Sequence, residues 1–208
     1  HTEIAVHCTV EELAKKIKPE FGFNLHDQST LLSAGTSKNP ATISFLAPTY
    51  DYARSINDVR RKATQVILAM NNALQKQIPG KVGKYDDSHD PRYFGDTFQG
   101  MGISTILIES GGYPQDPEKQ YIRKLNFYAL LNAFEAIASK NYLKENINTY
   151  DAVPENGKSL YDLFIQNVTV EKEGETFTTN LGINRSQVKS SDYRSLSYRG
   201  NIEEIGDT

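Results

Sequence analysis

The sequence predicts an α/β fold with a small β-rich extension, and three observations carry that prediction. Two strand-like runs, Phe21-Gly22-Phe23-Asn24-Leu25 and Ile103-Ser104-Thr105-Ile106-Leu107-Ile108, each stop at side chains able to ligate, accept protons or donate hydrogen bonds. Two long segments, about residues 52–77 and 118–140, repeat apolar residues at helical spacing. Near residue 150 the texture turns polar, so residues 1–150 form one expected domain and 151–208 a second, smaller one.

In chain order, Thr9 and Glu12 form a capping-box pattern, after which Val10, Leu13, Ala14 and Ile17 repeat at helical spacing until Pro19. The first strand follows and ends at His26, Asp27 and Gln28. Ser29 to Tyr50 is rich in Ser, Thr, Gly, Asn and Pro around one β-prone run, residues 41–47, and suits a substrate wall. The helix expected from Tyr52 to Gln77 carries Ile56, Val59, Ala63, Val66, Ile67, Met70, Leu74 and Ile78 on one stripe, closed by Pro79-Gly80. A short strand over residues 81–85 precedes Asp86-Asp87-Ser88-His89-Asp90-Pro91-Arg92, which reads as a solvated turn. One or two helical turns are expected over Phe94–Met101. The second strand ends at Glu109, stopped by Ser110-Gly111-Gly112, and the second long helix presents a wide apolar face that is expected to be buried. In the extension, a short helix is expected near Leu160–Ile165. Val168-Thr169-Val170 and Thr176-Phe177-Thr178-Thr179, flanking Glu173-Gly174-Glu175, read as a hairpin.

The composition excludes several function classes. With 208 residues, net charge −3 and pI near 5.9, the chain offers no electrostatic reason to bind nucleic acid or an anionic membrane. No apolar run approaches the ~20 residues of a membrane helix. A single cysteine, Cys8, rules out an internal disulfide and a Cys-based zinc knuckle, and nothing near it would lower its pKa. The chain opens at His1, as expected of a mature product or a fragment.

In α/β proteins ligands sit at the carboxyl ends of strands, so His26 and Glu109 could share one crevice if both strands are central and parallel. A histidine and a nearby glutamate suit metal-assisted hydrolysis, in which zinc activates a water and a carboxylate accepts its proton. The remaining histidines, His1, His7 and His89, complete no His-Glu-x-x-His, and no Gly-x-Ser-x-Gly elbow exists.

Residues 23–28 (Phe-Asn-Leu-His-Asp-Gln), Ser33-Ala34-Gly35, residues 41–48 (Ala-Thr-Ile-Ser-Phe-Leu-Ala-Pro), Gly95-Asp96-Thr97-Phe98 and residues 105–111 (Thr-Ile-Leu-Ile-Glu-Ser-Gly) resemble, in this order, the carboxy-terminal half of the zinc carboxypeptidase family, especially a bacterial branch. The match covers about residues 10–140. It implies part of a three-layer α/β/α mixed-sheet fold, with His26 as the third zinc ligand and Glu109 as the general base. It also implies a substrate-contacting tyrosine in the preceding loop, where Tyr85 and Tyr93 are equal candidates by motif. Asp27 and Gln28, by adjacency, are expected to orient the His26 ring.

The family's first two ligands, a His-x-x-Glu pair, and its Asn-Arg carboxylate grip lie amino-terminal to the matched motifs, where the chain has no counterpart for either. The resemblance therefore implies a missing amino-terminal half, supplied in cis or in trans, and a substrate that is a peptide or small amide. This chain alone is expected to be inactive. Two other readings stay open: a non-catalytic binding module derived from the fold, and an aspartoacylase-like amide hydrolase. Half a sheet leaves an open edge or apolar patch, so self-association is expected.

Overall fold

The computed structural model describes residues 2–191 and 194–206, with side chains from Thr9 onward. His1 and the side chains of His7 and Cys8 thus lie outside the described residues. The chain divides into two compact units, His1–Ser159 and Leu160–Thr208, a boundary later than the change of texture near residue 150. Together they make a mixed α/β chain with an antiparallel β-rich end. No helix among the described residues is long and apolar enough to cross a membrane.

The first unit is built on four strands: β1 (Phe21–Asp27), β3 (Ile43–Leu46), β4 (Val82–Lys84) and β5 (Ser104–Ser110), in the order β1-β5-β3-β4. β1 runs parallel to β5, β5 antiparallel to β3, and β3 parallel to β4. Of the two conditions for a shared crevice, the parallel one is met by β1 and β5, which are neighbours, but only β5 is central, while β1 is the edge. A two-stranded pair, β2 (Ser33–Ala34) with β6 (Asn156–Gly157), ties the loop after β1 to the end of this unit.

Strand alternation splits the sheet into a helix-covered face and a site face. Ile43 and Phe45 of β3, with Ile106 and Ile108 of β5, enter one core with α2 (Asp58–Leu74) and α4 (Gln120–Ala138). Phe21 and Phe23 extend that face along β1 and pack edge-on against Tyr142 and Phe134. The alternate residues Asn24, His26, Leu107, Glu109, Ser44 and Leu46 share the other face, because they are register partners or lie two positions apart.

Several boundaries depart from expectation. α1 (Thr2–Ile17) runs through Thr9, so the capping-box pattern there does not mark a helix start, while the stop before Pro19 holds. Its Val10, Leu13 and Ile17 are exposed. α2 starts at Asp58 rather than Tyr52, because Asn57 caps it by accepting the Arg60 N–H at 2.9 Å. Ile56, placed on the stripe by spacing, precedes the helix and is exposed. α3 covers Phe94–Gly100. α4 buries Ile122, Leu125, Ala129, Ala133 and Ala136 but leaves Phe127, Leu131 and Phe134 largely exposed, so its wide apolar face is only half used.

The second unit is a three-stranded antiparallel sheet of β7 (Leu163–Lys172), β8 (Glu175–Lys189) and β9 (Leu196–Gly206), with β8 in the middle. The expected hairpin is present. Glu173 and Gly174 both take positive φ, 55° and 84°, the two-residue turn that matches strand twist. The short helix expected at Leu160–Ile165 is not there. Leu163 and Ile165 instead pair with Ile183 and Leu181, and cross-strand partners override an apolar spacing that fits either structure.

Candidate active site

β1 and β5 deliver His26 and Glu109 to the same rung of the sheet, as direct register partners on parallel strands. The two side chains meet different surroundings. Glu109 is 4% exposed and its Oε2 is buried without a hydrogen-bond partner among the described residues. Burial pushes its pKa from 4.5 up to about 7, the Asp27 charge adds to the rise, and Lys119 opposes it. His26 stands exposed on the edge strand, its Nε2 3.0 Å from Asn24 Oδ1, two residues back on the same face.

Both line a cavity of ≈ 580 Å³ together with Tyr85, Tyr93, Asn24 and His89. Leu46, Pro48, Phe94 and Leu107 supply its apolar wall. Pro48 is reached closely by α3 because Gly95 has no side chain, and a Cβ there would come within 2.8 Å of the proline ring. Tyr85 is positioned by its backbone N–H, which donates to Phe45 O at 2.9 Å beyond the end of β4. Burial, followed by the Glu109 charge, raises its phenol pKa. Tyr93 leads into α3 and is more exposed. Both tyrosine candidates therefore reach the cavity, and the fold does not choose between them.

Asp27 and Gln28 serve other partners. Neighbouring strand residues point to opposite faces, so Asp27 turns from His26 toward the helix side, where Lys119 pairs with it. Gln28 is buried and braces the loops behind the site. Its Nε2 donates to Ala41 O and to Ser44 Oγ, both at 2.9 Å, and its Oε1 accepts from Asn156 Nδ2 at 2.8 Å. Ser44 Oγ donates back to Asn156 Oδ1 at 2.8 Å. Gly111 allows this closeness, since a Cβ there would lie 2.0 Å from Ala41 O and 2.9 Å from Gln28 Nε2. The ring of His26 is oriented by Asn24 instead, a residue that alternation along the strand could have singled out.

The acidic stretch after β4 is not merely a solvated turn. His89 is largely buried, its Nδ1 2.9 Å from Thr49 Oγ1 and 3.7 Å from Asp96 Oδ2. The Asp96 carboxylate accepts the Asp90 N–H at 2.7 Å, and burial raises its pKa. The exposed end of the stretch behaves as expected, with Asp90 held to about 2 by hydrogen bonds from Arg92. Asp87 accepts from Arg54 and from the buried Arg60, which anchors the segment carrying Tyr85.

Chemically, the arrangement offers a carboxyl poised near neutrality, an exposed imidazole beside it and two phenols around one cavity. Among the described residues no three His, Cys, Asp or Glu side chains gather as a metal site requires. His26 supplies one nitrogen to the cavity, where a catalytic zinc takes three protein ligands. The chain matches no family model, no curated protein and no solved structure among those compared with it.

Proposed function

We propose that residues 1–159 carry one side of the active site of a zinc carboxypeptidase-like hydrolase, acting on a carboxy-terminal peptide bond or a related amide. The observation that carries this reading is the Glu109 carboxyl. It is buried, without a hydrogen-bond partner at Oε2 among the described residues, and raised to about 7, on the same rung as His26 and facing the same cavity. A general base works best with a pKa near the operating pH, where it can both take and return a proton. The order β1-β5-β3-β4, with two helices covering the opposite face, suits one half of a three-layer mixed-sheet unit.

In this reading Glu109 removes a proton from a water in the cavity, and Tyr85 or Tyr93 contacts the substrate from the wall. His26 is the nitrogen ligand this chain offers to zinc, which when bound would supply a water of lowered pKa. The two remaining ligands come from a segment supplied in cis or in trans, and the chain alone is inactive. The test uses a polypeptide that contains this sequence and a His-x-x-Glu segment. Release of carboxy-terminal residues is expected to vanish in Glu109→Gln, and zinc content to fall in His26→Ala. Undiminished hydrolysis by Glu109→Gln, or full zinc occupancy without His26, overturns the reading.

The absence of a three-ligand group among the described residues favours a second reading, a binding module whose crevice no longer catalyses. Stoichiometric zinc together with peptide hydrolysis in the purified chain excludes it. An aspartoacylase-like activity separates from a peptidase on a panel of acyl amino acids and peptides.

A further inference from the structure

The second unit has two unlike faces. Register places Leu163, Ile183 and Ile202 in one cross-strand row, and Ile165, Leu181 and Ile205 in another, all on the same side of the sheet. That side continues through Phe177 toward the β7–β8 turn and through Tyr198 toward the β8–β9 turn. The other side carries Thr178, Asn180, Asn184, Ser186, Asn201 and Arg199, with one aromatic pair, Phe164 and Tyr161, stacked at Gly182. Yet the apolar side is open: Leu163, Phe177, Tyr198, Ile202 and Ile205 are between 45% and 62% exposed. A three-stranded sheet in water needs such a face covered, and contiguous apolar patches of this kind mark association surfaces.

We propose that this face packs against the same face of a second copy of the chain, in an antiparallel two-fold arrangement. Charge selects the occupant and its orientation. The β7–β8 tip is acidic, with Glu171, Glu173 and Glu175 around Lys172, and the opposite end is basic, with Lys189 and Arg194 beside an Arg185 that pairs with Asp162. A two-fold axis lying between the two sheets and perpendicular to the strands lays the acidic tip of each copy over the basic end of the other. A parallel arrangement would set like charges together. The dimensions also fit. Three strands ~4.8 Å apart and about ten residues long span roughly 500 Å² in projection. Side-chain corrugation raises the covered area above this projection, toward the ~800 Å² per partner of a standard interface. Two sheets stacked on aliphatic rows make the core of a β-sandwich.

Sedimentation equilibrium of the full chain is expected to give a dimer at micromolar concentration. Ile202→Asp and Ile205→Asp should each weaken association by on the order of 100-fold, since an unpaired carboxylate would be trapped in an apolar interface. Thr178→Lys, on the polar side, should leave it unchanged. Glu175→Lys and Lys189→Glu should each weaken the dimer by several-fold, and the double variant should recover it, because each tip again meets an opposite charge. This charge set leaves both aliphatic rows intact and decides the matter if an aspartate variant fails to fold. A chain that stays monomeric while its apolar side takes up a hydrophobic dye points to a different occupant and overturns the proposal. So does a dimer indifferent to the aspartates, or a double variant no tighter than the singles.

Discussion

The carboxyl ends of β1 and β5 are neighbours that follow opposite rules. Each closes an apolar run with a chemistry-bearing side chain, and His26 and Glu109 occupy the same rung. β5 lies between two strands and beneath two helices, so its end is sealed and its carboxyl is driven toward neutrality. β1 is an edge, so Leu25, the register partner of the buried Ile108, is 60% exposed, and His26 stands at the surface. Neighbouring position thus fixes direction, and burial fixes reactivity.

The largest test of this contrast truncates one register pair in turn. Ile108→Ala should cost about 2–5 kcal/mol in chemical denaturation, because it opens a cavity in the core. Leu25→Ala, one strand away on the same face, should change stability by less than about 0.5 kcal/mol. Equal losses would mean that the β1 edge is covered.

Next in size is the pH dependence that Glu109 imposes. Its folded pKa of about 7 lies above the ordinary 4.5, so between these values the folded chain holds a proton that the unfolded chain has lost. Its contribution to stability is therefore fullest below about pH 4.5 and falls as pH rises through 7, by at most on the order of 3 kcal/mol. Glu109→Gln should flatten that limb of the stability curve, whereas His26→Ala should leave it in place. A limb that persists in Glu109→Gln belongs to another group.

Behind the site, Gln28→Ala should cost about 1–3 kcal/mol, since it strands Ser44, Asn156 and the Ala41 carbonyl that Gln28 now satisfies. Thermal unfolding reads this loss, and a neutral result would mean that water replaces the amide. The smallest effect is expected at Lys119. It pairs with a largely exposed Asp27, so Lys119→Ala should cost no more than about 1 kcal/mol. Because Lys119 opposes the rise at Glu109, its removal should move the Glu109 titration, followed by carboxyl NMR, upward from about 7. A downward move would reverse the assigned sign.

Local pattern went far in this chain. Alternation and the Gly111-Gly112 stop located β1 and β5, and the turn residues Glu173-Gly174 located the hairpin, because strand period and positive φ are properties of a few adjacent residues. Local pattern misled where two structures share one spacing. Leu163 and Ile165 suit a helical turn or a strand, and only pairing with Ile183 and Leu181 decides between them. Adjacency in sequence suggests that Asp27 orients the His26 ring, but adjacency along a strand places side chains on opposite faces, and Asp27 pairs with Lys119.

The sequence by itself determined which side chains end the two strands, that the two long apolar-striped segments are helical, and that Tyr85 and Tyr93 flank the acidic stretch. Only the tertiary structure decided that β5 is central and β1 an edge, that Thr49, His89 and Asp96 meet beside the cavity, and that Asn156 reaches back to Gln28 across 128 positions. Those outcomes depend on contacts between distant segments and on what each removes from water. Burial, which sets the pKa of Glu109 and leaves His26 at the surface, belongs to the assembled sheet rather than to any stretch of chain.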